Sequence, residues 1–107
     1  MTTFYKNAAV DLTTTNLTAV YTAPAAKTAI FKSILVSNDS GSADTITLSL
    51  TNAAAAVFSL YKLEEVGALS ARELLEQPLV LETAEILKAQ AATAGRLHVV
   101  ASYMEIT

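Results

Sequence analysis

The chain has 107 residues, a formal charge of −3, no cysteine and a single histidine; 52% of its residues are hydrophobic and only 16% are charged. That length fits one domain with a thin core, and the missing cysteine excludes disulfides, thiolate nucleophiles and cysteine-held metals. Its seven basic residues are scattered and form no stripe, which argues against a nucleic-acid partner.

Residues 1–15 are rich in threonine and hold no sustained period, with Phe4 and Tyr5 as the only aromatic groups. They read as an extended N-terminal arm, free to lie on a neighbouring subunit, or as a first edge strand. Leu17–Ala23 reads as a short strand stopped by Pro24, which has no N–H to give to a ladder. Thr28–Ser37 is rich in β-branched and aromatic residues and reads as a strand. Strict alternation puts Ile30, Ile34 and Val36 on one face and Phe31 and Leu35 on the other, so cover on both faces is expected. The polar cluster Asn38–Asp44, with Gly41 inside it, reads as a turn. Thr45–Leu50 alternates, with Ile46, Leu48 and Leu50 pointing one way and Thr45, Thr47 and Ser49 the other. Together these two strands read as a hairpin with a long loop and a hydroxylated outer face.

Val57–Leu63 reads as a further strand, with Phe58 and Leu60 opposite Tyr61. Glu64–Gln77 is ambiguous: Ser70 and Glu73 fit a capping box that would open a short helix, and a loop leading into a strand near Leu74 and Leu75 fits equally. After Pro78 come short strands at Leu79–Leu81 and Ile86–Ala89, joined tightly at Thr83 and Ala84. The last strand, Leu97–Ile106, carries Val100, Met104 and Ile106 on one face and Leu97, Val99 and Tyr103 on the other. About seven or eight short strands with turn signals between them predict an all-β fold, a single antiparallel β-sandwich or jelly-roll-like barrel over residues 1–107.

Little in the chain can do chemistry. His98 lies within the last strand, where a general base would need a nucleophile and an orienting acid nearby. Asp39 and Asp44 bracket the turn beside Asn38, but their spacing is not that of a calcium loop and turn capping explains them. Glu64, Glu65, Glu73 and Glu76 form a mild acidic group that reads as a solvated face. Tyr21, Tyr61 and Tyr103 are placed to meet across strands, as core or edge packing. No catalytic, cofactor-binding or metal-binding residue is assigned, no cofactor is implied, and an enzyme is not expected. No apolar run of about 20 residues is present to span a membrane. Low charge around a small core implies that another chain covers part of the surface, most simply a dimer or trimer of this one.

The string Tyr21–Asn38, the turn Ser40–Asp44, Thr45–Leu48 and the C-terminal series Glu73–Glu82, Ile86–Ala91 and Gly95–Ile106 resemble, in that order, a family of small structural proteins of tailed-bacteriophage particles. The likeness covers about Leu17 to Ile106. Where that family often has a Gly-Asp pair after the late Leu-Glu, this chain has Thr83-Ala84-Glu85, which makes a left-handed turn less expected there. The resemblance implies a structural role in the virion with no catalytic residue to carry over. The expected role is a capsid decoration (cement) protein on the outer head surface, made in the host bacterial cytoplasm and partnered by the major capsid protein or other virion proteins. A tail, fibre or head–tail junction component is the alternative within that class, and a carbohydrate-binding adhesion module the alternative outside it.

Overall fold

The computed structural model describes residues 2–107 and is all-β. Nine strands form: β1 (Thr3–Asp11), β2 (Thr18–Thr22), β3 (Thr28–Asn38), β4 (Asp44–Thr51), β5 (Val57–Val66), β6 (Ser70–Glu73), β7 (Leu79–Leu81), β8 (Ile86–Ala91) and β9 (Leu97–Ile106). One antiparallel sheet has the order β1-β9-β3, with β6 and β7 sharing the far edge of β3; the other runs β2-β8-β4-β5. They pack face to face as a sandwich. Between them lie Phe31, Ile34, Val36, Leu81, Leu97, Val99 and Ala101 from the first sheet and Val20, Ile46, Leu48, Val66, Leu87 and Ala89 from the second. Tyr21, Phe31 and Tyr103 stack at one end of this core, with ring centroids 4.6 to 5.2 Å apart. Tyr61 takes no part in that cluster and instead lies opposite Leu48.

Several local expectations change. The predicted hairpin of Thr28–Ser37 with Thr45–Leu50 does not form: β3 and β4 belong to different sheets, and residues 39–43 arch across the core. Both strands bury one face, and that burial is satisfied as well by packing face to face as by pairing edge to edge. The Asn38 amide pins the arch by donating to the Ser42 and Val66 carbonyls. The connection through Thr83 and Ala84 crosses in the same way from β7 to β8.

Phe31 also changes sides. A β-bulge between Phe31 and Ser33 inserts an extra residue, so Phe31, Ile34 and Val36 all face inward and only Ile30 and Leu35 face out. The strand is therefore covered by protein on one face, not two. Outward Ser49, expected on a hydroxylated outer face, is buried, as is Thr51. Ser49 lies between Ser59 and the longer Lys88, and Thr51 between Val57 and the longer Ile86.

The helix allowed by Ser70 and Glu73 is absent, and the strand lies at Ser70–Glu73 rather than at Leu74 and Leu75. Glu73 accounts for both. Its carboxylate accepts hydrogen bonds from the Ser33 hydroxyl, from the Ile34 amide at 2.7 Å and from the Leu75 amide at 3.1 Å. It thus bridges the gap between β6 and β7 that the β3 bulge opens. An acidic residue three positions after a serine looks like a helix start, and here it serves strand amides instead.

At the N-terminus, where an arm and an edge strand were both open, Thr3–Asp11 is an edge strand paired with β9 over its whole length. At the departure from the phage-family pattern, Ala84 holds φ 68, so the left-handed turn forms without a glycine.

Candidate functional site

Polar groups inside the sandwich converge on Glu105. Its carboxylate is buried on the inward face of β9. It accepts a 2.7 Å hydrogen bond from the Tyr21 hydroxyl of the opposite sheet, and Lys6 and Lys27 reach it at 3.0 and 3.3 Å. The Tyr21 hydroxyl foremost, then Lys6, hold the Glu105 carboxyl down at about 2 against the opposing effect of burial. Burial, then the bond to Glu105, pushes the Tyr21 phenol well above its ordinary value. Tyr103 is raised by burial and by the charge of Glu105. Each acceptor oxygen has a donor and the phenols stay protonated, so the cluster clamps the two sheets together and leaves no free base. Glu73 is lowered despite its partial burial, because the Ser33 hydroxyl and the Ile34 and Leu75 amides together outweigh the desolvation.

The residues weighed from sequence do not converge. His98 sits between two carboxylates, with Asp11 3.4 Å from Nδ1 and Asp39 3.3 Å from Nε2. The carboxylates lie on opposite sides of the ring, so no single point could hold an ion shared by all three. Asp44 caps the Thr45 amide at 2.8 Å and the Thr93 amide at 3.0 Å. Asn38 is committed to the arch, and Glu64 pairs with Arg72 at 3.0 Å. Among the described residues no cluster of three or more His, Asp or Glu side chains is disposed to hold a metal ion. A shallow open groove lies over Leu60, Tyr61, Leu75, Pro78 and Leu79, with Glu76 and Gln77 at its wall.

The outer surface of the first sheet carries two rows of apolar side chains. The register aligns Tyr5, Met104, Ile30 and Val80 in one row across four strands, and Ala9, Val100 and Leu35 in a second. All of these side chains point away from the core. Tyr5 is 78% exposed and Val80 49%, and Leu35 and Val100 stand in solvent at about two-fifths of their area. Between the rows lie Asn7, Ser102 and Ser33, with exposed Lys32 of the β3 bulge beside them. Contiguous apolar surface of this kind marks interaction sites in soluble proteins. Sequence reasoning had paired Val100, Met104 and Ile106 on one face of the last strand. What it could not supply was that Ile30, Leu35, Val80 and Tyr5 come to the same side, since the β3 bulge and the docking of β1 and β7 decide that.

No family model matches the chain, and no curated protein matches it. Among solved structures, one described by the words "Bacillus endospore appendages form a novel family of disulfide-linked pili" is similar in fold, with a TM-score of 0.58 and 10% sequence identity over 99% of this chain and 88% of that one. At that identity the likeness concerns the all-β sandwich alone.

Proposed function

We propose that the chain is a structural subunit that coats a larger particle, in the first instance a decoration protein on the outer head of a tailed bacteriophage. The apolar outer face of the β1-β9-β3 sheet carries the reading. A flat, weakly charged surface of Tyr5, Ile30, Leu35, Val80, Val100 and Met104 suits dry contact with a shell protein. Repeated over a lattice, such contacts sum to firm attachment even when each is weak. The resemblance of Tyr21–Asn38 and Glu73–Ile106 to phage structural proteins supports the particle. The Glu105 clamp and the amide-bound Glu73 support a polar inventory given over to holding the fold. Homo-oligomerisation and a major-capsid partner belong to the same proposal.

A filament or tail subunit is the second reading, favoured by the fold likeness to a pilus protein. That protein's pili are described as disulfide-linked, whereas this chain has no cysteine and would need non-covalent contacts. Immunogold electron microscopy with antibody to this chain tests both readings. Dense gold over phage heads is the expected result. Gold confined to tails or separate filaments would replace the first reading with the second, and gold on neither would overturn both.

A further inference from the structure

Among the described residues, one edge of the sandwich is left unblunted. The β5 edge is broken by register shifts on either side of its pairing with Leu48, and Leu63 there holds φ 55. The β2 edge is five residues long and shifts register between Ala19 and Tyr21. The far edge of the first sheet is divided between β6, of four residues, and β7, of three. Bulges and short strands are the devices by which proteins blunt an edge. β1 has neither: its nine residues pair with β9 from Thr3↔Ile106 to Asp11↔His98 without a shift.

Which groups face outward follows from the ladder. The Leu12 amide donates to the Leu97 carbonyl and the Thr107 amide to the Thr2 carbonyl, each at 3.0 Å. Antiparallel bonding alternates along a strand, so the even-numbered residues of β1 bond to β9. The N–H and C=O groups of Thr3, Tyr5, Asn7 and Ala9 and the N–H of Asp11 point to the free edge, while the Asp11 carbonyl accepts from the Thr13 amide at 2.9 Å.

We propose that β1 pairs antiparallel with β1 of a second copy of this chain, across a two-fold axis at Asn7, joining two first sheets into one. In that register all nine residues of the strand are paired and its sequence is complementary to itself. On the outer face Tyr5 lies beside Ala9 of the second copy, Thr3 beside Asp11, and the Asn7 amides face each other. On the inner face half-exposed Phe4 lies beside Val10, and Lys6 beside Ala8. Every bulky residue meets a small or short one and no like charges meet. Shifting the register by a single residue sets inward-bonding residues against the edge; moving the axis to residue 6 or 8 keeps the odd residues at the edge but shortens the ladder, and at residue 6 it sets Lys6 against Lys6. An inward charge on an edge strand ordinarily opposes pairing, but Lys6 is already neutralised by Glu105 at 3.0 Å. The interface is isologous, as dimer interfaces commonly are. It deepens the homo-oligomerisation proposed above by naming its edge and register, and it needs no particle, so its failure would leave the attachment surface untouched.

The test is sedimentation equilibrium of the full chain with variants at Asn7, with circular dichroism to confirm folding. Asn7→Pro removes only an outward N–H, and Asn7→Lys and Asn7→Asp place like charges across the axis. Wild type should dimerise, and each variant alone should dimerise roughly tenfold or more weakly. An equimolar mixture of N7K and N7D should recover the dimer. In wild type, the amides of Tyr5, Asn7 and Ala9 should gain hydrogen-exchange protection as concentration rises, a readout that needs no variant. A wild-type monomer, a dimer indifferent to all three substitutions, or a dimer in which these amides exchange freely would each overturn the proposal.

Discussion

The outer faces of the two sheets carry different surfaces on similar backbones. The β1-β9-β3 sheet presents Tyr5, Ile30, Leu35, Val80, Val100 and Met104 across its strands, while the middle of the β2-β8-β4-β5 sheet carries Thr22, Thr47, Lys88 and Gln90 with Ile86 among them, and its exposed apolar groups, Val57, Phe58 and Leu63, lie on the edge strand β5. The inner faces are alike, since both must fill one core. Selection for folding alone gives no reason for the outer faces to differ. Apolar side chains gain nothing from standing in water, and about 25 cal/mol per Å² becomes available only when something covers them. If a partner covers one sheet, as proposed, this difference makes the β1-β9-β3 sheet the one it covers.

The sharpest way to break that comparison sets an inward residue against an outward one. Leu48→Asp buries a charge at a fully enclosed site and should unfold the domain, a loss above about 4 kcal/mol. Leu35→Asp, on the outer face of β3, should change stability by less than about 1 kcal/mol while weakening attachment to particles. Chemical denaturation and a particle-binding assay separate the two. A folded Leu48→Asp chain, or a Leu35→Asp chain that binds normally, would defeat the assignment of faces.

Acid acts on the polar clamp between the sheets. The Glu105 carboxyl sits at about 2 when folded and near 4.5 in an unfolded chain. A depressed carboxylate stabilises the fold fully above its unfolded value and loses that contribution as pH falls from about 4.5 toward 2. Glu73, also lowered, adds in the same direction. The melting temperature should fall across this window, with the Glu105 part on the order of 2 kcal/mol. Glu105→Gln should flatten much of the slope, and an unchanged slope would remove Glu105 from the account.

Two smaller effects sharpen the contrast between the mended edge of one sheet and the strained turn into the other. Glu73→Ala leaves the Ile34 and Leu75 amides without their acceptor and should cost about 1–2 kcal/mol by denaturant titration. Ala84→Gly relieves a left-handed alanine and should leave stability unchanged or raise it by up to about 1 kcal/mol, read as a higher melting temperature. A clear loss from Ala84→Gly would mean that the alanine side chain contributes packing there.

Strand positions were legible in the sequence because period-two alternation and turn residues are local. Thr28–Asn38, Asp44–Thr51, Ile86–Ala91 and Leu97–Ile106 lie close to where the pattern places them. Sides were legible too wherever alternation ran unbroken, as in Leu97–Ile106. They failed at Phe31, because a bulge reverses parity and Lys32-Ser33 carries no mark that one is present. The Glu73 bridge was hidden for a related reason: its signal, Ser70 with Glu73, belongs equally to a helix cap, and only the gap between β6 and β7 shows which amides the carboxylate serves.

By itself the sequence determined an all-β class of short antiparallel strands, sandwich or barrel, the way side chains divide between the faces of Thr45–Leu50 and Leu97–Ile106, and the scarcity of reactive groups. The tertiary structure alone decided which strands share a sheet. Alternation records that one face of a strand is buried but says nothing about which backbone its edge meets. Thr28–Asn38 and Asp44–Thr51 therefore looked like a hairpin and are instead the opposing walls of the core. The same assembly of β1, β9, β3 and β7 brought Tyr5, Met104, Ile30 and Val80 into one row, a surface that no single strand of this chain contains.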